Sequence, residues 1–120
     1  PLLGWGAGTF ALIYKFLPNI LNPPIAQHTH NLPLELAFNF GIPFSLFLTF
    51  IFTKLFFESC IKFYKDVQIK QYSYVDKAWI ASTGVLIFIN MTDVTLYDGK
   101  IGLLTGILFG GLRTSLKRKN

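Results

Sequence analysis

The short segment His28-Thr29-His30-Asn31 holds the residues best suited to chemistry in this chain. Asn31 is a favoured helix N-cap, and Pro33 suits the first turn of a helix. We therefore predict that His30 lies just before a helix N-terminus, where unpaired N–H groups and the helix dipole attract anions. A histidine there can accept a proton from an attacking hydroxyl or donate one to a phosphate oxygen.

A simpler interpretation is that His28 and His30 are polar loop residues without a chemical role. A metal site is less favoured, because two histidines at i and i+2 without a nearby cysteine or carboxylate form a weak ligand set. We predict no metal and no cofactor. His30 is the candidate catalytic residue, and His28 and Asn31 are candidate substrate contacts.

Two carboxylates are further candidates. Glu35 follows His30 by about one helical turn, so it could orient His30, line a site, or only act on the helix N-terminus through its charge. Asp93 ends an uncharged run, and an acidic residue near the end of a membrane segment is a candidate functional group. Asp98-Gly99 matches the chemistry of a solvated turn.

The composition predicts a membrane protein. Of the 120 residues, 52% are hydrophobic and 14% are charged, whereas soluble domains carry about 25% charged residues. The single Cys60 permits neither an internal disulfide nor a cysteine metal cluster. The net charge of +5 could indicate nucleic acid binding, but the placement of the basic residues argues against it.

Three uncharged runs predict an all-α, polytopic transmembrane bundle. Residues 36–53 extend into a transmembrane helix over 32–57, in which Gly41 and Pro43 are tolerated interruptions. Runs at 78–92 and 101–112 predict two transmembrane segments or a hairpin over 78–112, with a turn at 93–100. The last run has 12 residues and would cover about 18 Å of a roughly 30 Å hydrocarbon core, unless flanks such as Leu96 and Tyr97 extend it.

The basic residues predict the orientation. Nine of 11 lie between Lys54 and Lys77 or in the tail at 113–120, and basic residues mark the cytoplasmic side. Residues 58–77 are then a cytoplasmic loop, and residues 1–31 lie outside. In that outer segment, Gly4, Gly6 and Gly8 predict a loop, and apolar residues at helical spacing predict an interfacial helix that Thr9 caps: Phe10, Ile13, Phe16, Leu17, Ile20 and Leu21. Because the chain starts at Pro1 in a loop, we expect it to be the C-terminal part of a longer protein.

A polar stripe follows the first predicted span. At about 100° per residue its members share roughly a third of the helix circumference: Glu35, Asn39, Ser45, Thr49 and Thr53. Such a stripe should face the bundle interior, because lipid offers no hydrogen-bond partners. For the three hydroxyl residues we expect a role in helix packing.

Taken together, these motifs resemble those of the O-antigen ligase and O-antigen polymerase family. The resemblance rests on Gly4-Trp5-Gly6-Ala7-Gly8-Thr9-Phe10, on His30-Asn31, and on Gly41 eleven positions after His30. It covers most of residues 4–57, and the segment from Asp93 to the tail fits more weakly. In two places the chain departs from the family pattern: Asn39 stands where the family has an acidic residue, and Phe44 where it has a second glycine.

The resemblance implies a metal-independent glycosyltransferase of the bacterial inner membrane, with its active face in the periplasm. Its donor would be a glycan on undecaprenyl diphosphate, and its acceptor another glycan or the lipid A core of lipopolysaccharide. His30 matches the family's histidine at the reaction centre. The family's diphosphate-binding arginines have no counterpart, since Arg113 and Arg118 lie on the predicted cytoplasmic side. The resemblance therefore implies that these 120 residues alone are inactive.

Two other functions fit the sequence. The polar stripe and the Gly41–Pro43 interruption also suit a transporter or flippase subunit with a substrate path. A structural membrane subunit without chemistry is the third hypothesis, in which neither His30 nor Glu35 affects function.

Overall fold

The computed structural model describes residues 2–14, 16, 29–68, 73–93 and 98–117. These residues form five α-helices: α1 (Phe10–Tyr14), α2 (Leu32–Phe40), α3 (Ile42–Gln68), α4 (Tyr74–Thr92) and α5 (Gly99–Lys117). No strand occurs among them, so the predicted all-α class is confirmed for this part of the chain. The chain divides into a first unit, residues 1–49 with 90–94, and a second unit, residues 50–89 with 95–120.

The helix predicted over 32–57 is divided at Gly41, so the prediction of one continuous helix was wrong. Gly41 has φ +95° and ψ 158°, a conformation that ends α2. Its N–H still donates to Ala37 O (3.0 Å), and its carbonyl accepts from Ser45 N (3.1 Å). Pro43 lies in the first turn of α3, where its missing N–H costs no intrahelical hydrogen bond.

The predicted loop over 58–77 is helical as far as Gln68, because α3 continues through the charged residues. No glycine or proline interrupts residues 58–68, and the i, i+4 pair Lys54–Glu58 (3.8 Å) spans the point where the loop was expected to begin. Residues 69–72 lie outside the described part of the chain. Ser73 then starts α4, with its hydroxyl accepting from Val75 N (3.2 Å).

The last helix is longer than its apolar run. Asp98 Oδ1 accepts from Lys100 N (2.8 Å) at the start of α5, and the helix continues to Lys117 through the basic residues that follow the run. Its 19 residues cover about 28 Å at 1.5 Å per residue. Leu96 and Tyr97, which the sequence offered as flanks, lie outside the described residues.

Among the described helices, α3 alone is long and apolar enough to cross a membrane. Its most apolar window has a mean hydropathy of 1.6, and 11% of that window is buried. This supports membrane association through one helix.

The predicted interfacial helix begins at Phe10 as expected, and α1 ends at Tyr14. The carbonyl of Thr9 accepts from Leu12 N and Ile13 N, while its hydroxyl donates to Gly6 O (2.8 Å). The backbone carbonyl of Thr9 therefore caps the start of the helix, whereas its side-chain hydroxyl forms a hydrogen bond within the glycine loop. The remaining predicted helical positions Leu17, Ile20 and Leu21 lie outside the described residues.

The core of the second unit brings together α3, α4 and α5. Its buried members are Leu86, Leu108, Phe109 and Leu112. Phe52 stacks on Phe109 with ring centroids 4.3 Å apart. At one end, Lys62 Nζ donates to Ser115 O (2.6 Å), and the Ser115 hydroxyl donates to Asp76 Oδ1 (2.7 Å). These contacts join all three helices.

Candidate active site at the start of α2

Asn31 caps α2 as predicted. Its backbone is extended, at φ −154° and ψ 115°, and its Oδ1 accepts from Leu34 N (3.1 Å). Its Nδ2 donates to Met91 O near the end of α4 (3.2 Å). The amide of Asn31 thus starts one helix and joins it to the end of another. These contacts favour a positioning role for Asn31 over the predicted direct contact with substrate.

His30 adopts a left-handed backbone conformation, with φ +53°. Histidine is one of the few non-glycine residues enriched there, yet the conformation costs roughly 1–2 kcal/mol. The imidazole is 70% exposed and lies one residue before the N-cap of α2. His30 is therefore held at a helix N-terminus with its ring open to solvent.

Asp93 is brought to His30 although the two residues are far apart in the sequence. The distance from His30 Nδ1 to Asp93 Oδ1 is 3.4 Å, and the Asp93 side chain is 58% exposed. A carboxylate at this distance favours the tautomer with the proton on Nδ1. Nε2 is then the nitrogen that can accept a proton, so the pair has the composition of a general acid–base centre.

Glu35 is 1% exposed, and its carboxylate turns away from solvent. Oε2 accepts from Thr29 N (3.0 Å), and Oε1 accepts from Asn39 Nδ2 (3.0 Å). The Thr29 hydroxyl in turn donates to Asn31 O (3.0 Å). Of the roles open to Glu35 from the sequence, these contacts favour orientation of the His30 segment over the predicted contact with substrate.

The glycine-rich loop packs on the end of α2. Trp5 N donates to Phe38 O (2.8 Å), and Gly6 N donates to Asn39 O (3.0 Å), so the loop satisfies carbonyls of the last turn. Gly4 has φ +74°, and a Cβ there would lie 2.5 Å from Asn39 O. The predicted loop is confirmed, and at Gly4 the close approach of the two backbones leaves no room for a side chain. The sequence did not indicate which backbone the loop would approach.

Only part of the polar stripe is buried. Glu35, Asn39 and Ser45 are buried, and the Ser45 hydroxyl donates to Pro33 O (2.6 Å). Thr49 is half-buried, whereas Thr53 is exposed, so the prediction that the whole stripe faces an interior was wrong for Thr53. Ser45, Thr49 and Thr53 all lie in α3, and at about 100° per residue Thr53 is rotated by about 80° from Ser45 around the helix.

His28 and a possible metal site are the remaining candidates from the sequence. His28 lies outside the described residues. No group of three or more His, Cys, Asp or Glu side chains with the geometry of a metal site occurs in the described part of the chain. The titratable pair at the surface of the site is the His30 imidazole and the Asp93 carboxylate, and side chains of these types can transfer protons.

No family model matches the chain, and neither a curated protein nor a solved structure matches it.

Proposed function

We propose that this protein is a membrane glycosyltransferase that moves a glycan from an undecaprenyl diphosphate carrier to a sugar hydroxyl. The observation that carries the proposal is the exposed His30 imidazole with Asp93 3.4 Å from its Nδ1, one residue before the N-cap of α2. The site combines a proton acceptor with a helix end that favours anions. A reaction that deprotonates a hydroxyl and releases a diphosphate needs both.

The reaction proceeds by displacement at the anomeric carbon of the donor sugar. The acceptor hydroxyl oxygen attacks that carbon, and its proton passes to Nε2 of His30. The bond between the anomeric carbon and the diphosphate oxygen breaks, and the carrier diphosphate keeps the electron pair. Asp93 stabilises the imidazolium that forms.

We further propose that α3, α4 and α5 are all membrane helices of a polytopic bundle in the bacterial inner membrane. Beyond α3, α4 exposes Val85, Phe88 and Ile89, and α5 exposes Leu103, Leu104 and Ile107. Apolar surface of this extent suits lipid or further helices. Buried hydroxyls are satisfied by their own helices, as at Thr83 Oγ1 to Trp79 O (2.8 Å) and Thr105 Oγ1 to Ile101 O (2.8 Å). The basic ends of α3 and α5 would lie in the cytoplasm and His30 in the periplasm.

The test uses the protein at its natural length in membrane vesicles, with a carrier-linked glycan as donor and a glycan or lipid A core as acceptor. His30→Ala should lower the transfer rate by about 10²–10⁴-fold. Asp93→Asn should lower it less, because the base remains while its charged partner is lost. Asp98→Asn is the matched control, since Asp98 accepts from Lys100 N in a turn, and its rate should equal that of the wild type.

Full transfer by His30→Ala would refute the catalytic assignment. Equal losses in Asp93→Asn and Asp98→Asn would refute the role of Asp93. If neither His30→Ala nor Glu35→Ala changes the transfer rate of the folded protein, a structural subunit remains as the better description.

A transporter or flippase subunit is the second candidate, favoured by the interruption between α2 and α3 at Gly41. Interrupted helices in transporters bind substrate through freed backbone groups. Here the carbonyls of Phe38 and Asn39 already accept from Trp5 N and Gly6 N, which argues against a substrate path at this break. Movement of a labelled lipid-linked glycan across proteoliposomes, without glycan transfer, would favour the transporter.

A further inference from the structure

We propose that Glu35 and Asn39 form a buried positioning pair that fixes the backbone of His30 in its left-handed conformation. The consequence for catalysis rests on the proposed function, whereas the consequence for the backbone does not. The pair acts through Thr29 and touches no reacting atom in the proposed mechanism.

The burial of the Glu35 carboxylate is energetically unfavourable unless its oxygens are hydrogen-bonded. Removing a charged group from water costs several kcal/mol unless it is hydrogen-bonded or paired, and Glu35 is 1% exposed. An apolar residue would complete this turn of α2 without that penalty. The hydrogen bonds from Thr29 N and Asn39 Nδ2 are among the contacts that offset this cost, and the first of them joins the carboxylate to the segment that carries His30.

The hydrogen bond to Thr29 N anchors the backbone one residue before His30. On the other side of His30, Asn31 is fixed by its contacts with Leu34 N and Met91 O, and Thr29 Oγ1 donates to Asn31 O. His30 is thus held between two anchored residues. This arrangement holds His30 in a left-handed conformation that residues other than glycine generally avoid.

Asn39 fixes the orientation of the carboxylate. Its Nδ2 donates to Oε1 at 3.0 Å, which leaves Oε2 directed at Thr29 N. Asn39 is 2% exposed, so the pair is shielded from water. The contact between positions 35 and 39 needs one donor and one acceptor, and position 35 must also present an acceptor to Thr29. A glutamine at 35 with an aspartate at 39 meets the same requirement with the direction of the bond reversed.

This reversal gives the decisive experiment. Asn39→Asp places two carboxylates against each other in a buried site and should lower kcat for glycan transfer by about 10–100-fold with little change in KM, because His30 is displaced. Glu35→Gln combined with Asn39→Asp should restore kcat to within about threefold of the wild type. Glu35→Gln alone should be mild, because the Asn39 amide can rotate to accept from the new Nε2.

Hydrogen exchange at the Thr29 amide provides a readout that does not depend on transfer. It should be faster in Asn39→Asp and in Glu35→Ala than in the wild type, and slow again in the double variant. Ser115→Ala is the matched control, since it removes a hydrogen bond to the carboxylate of Asp76 in the second unit. It should change neither kcat nor exchange at Thr29.

The measured kcat values and the hydrogen exchange rates at Thr29 either support or overturn the positioning role of Glu35 and Asn39. Unchanged kcat and Thr29 exchange in folded Glu35→Ala would overturn the proposal, as would an Asn39→Asp defect that the double variant does not rescue. If Glu35→Ala does not fold, the comparison of Asn39→Asp with the double variant decides. If His30→Ala keeps full transfer while Thr29 exchange responds as expected, the proposed function fails and the positioning pair stands.

Discussion

The close approach of the glycine loop to the α2–α3 break predicts that Gly41→Ala is strongly destabilising. Gly41 has φ +95°, and an added Cβ would meet Leu2 O and lie 3.0 Å from Leu3 C. Backbone with this φ and ψ is adopted almost only by glycine and costs an alanine roughly 1–3 kcal/mol. Displacing residues 2–4 would also strain the hydrogen bonds from Trp5 N and Gly6 N to α2, each worth about 0.5–1.5 kcal/mol.

Together these terms give a loss of about 2–6 kcal/mol, which the reduced entropy of the unfolded chain lowers by about 0.4–1 kcal/mol. Gly8→Ala is the matched control. Gly8 has φ +75°, but nothing lies within 4 Å of an added Cβ, so only the backbone term applies and the loss should be about 1 kcal/mol.

The measurement is the free energy of unfolding of the purified protein in mixed micelles, followed by tryptophan fluorescence during titration with a denaturing detergent. Gly4→Ala should resemble Gly41→Ala, because its Cβ would lie 2.6 Å from Gly41 N and 2.5 Å from Asn39 O. Both variants disrupt the same contact, so the double variant should lose clearly less than the sum of the two. Equal losses for Gly41→Ala and Gly8→Ala, or full additivity of Gly4→Ala and Gly41→Ala, would refute the reasoning.

Three further predictions use the same unfolding assay. Asn31→Ala should lose about 0.5–2 kcal/mol with its cap, whereas Asn31→Asp keeps an acceptor for Leu34 N and should lose less; equal losses would contradict the capping geometry. Gly111→Ala should destabilise, because its Cβ would lie 2.7 Å from the Trp79 ring, whereas Gly106→Ala, with open space around it, should stabilise by about 0.5–1 kcal/mol; effects of the same sign would contradict this packing. His30→Gly should be about 1 kcal/mol more stable than His30→Ala, because glycine relieves the left-handed strain; equal stability would show that the strain is absent.

The features that were predictable from the sequence are local. Asn31 and Pro33 predicted the start of α2 because a cap depends on residues within one turn. The extent of α3 was not predicted, because the charged residues in 58–68 are also typical of a loop that follows a transmembrane helix. A charged segment without glycine or proline can remain helical when i, i+4 pairs such as Lys54–Glu58 support it.

The candidate site depended on contacts that no local pattern contains. Gly41 was recognised as an interruption, but the loop residues that make glycine necessary there lie about forty positions earlier. Glu35 was recognised as a residue that could orient His30, yet its partner Thr29 N is a backbone group and leaves no signature in the sequence. Asp93 was a candidate for its charge alone, and its distance from His30 emerges only when α4 ends beside the cap of α2.

Stability does not account for the residue at position 30. Glycine adopts φ +53° without the steric penalty, and asparagine or aspartate adopts it with local hydrogen bonds. Histidine there carries the strain while its ring remains 70% exposed, and so gains little from burial. The surrounding structure nevertheless secures the conformation through a buried carboxylate, an N-cap and a contact with α4. Strain of this kind, held in place by several elements around an exposed titratable ring, is typical of functional sites, and it supports the proposal that His30 takes part in the reaction.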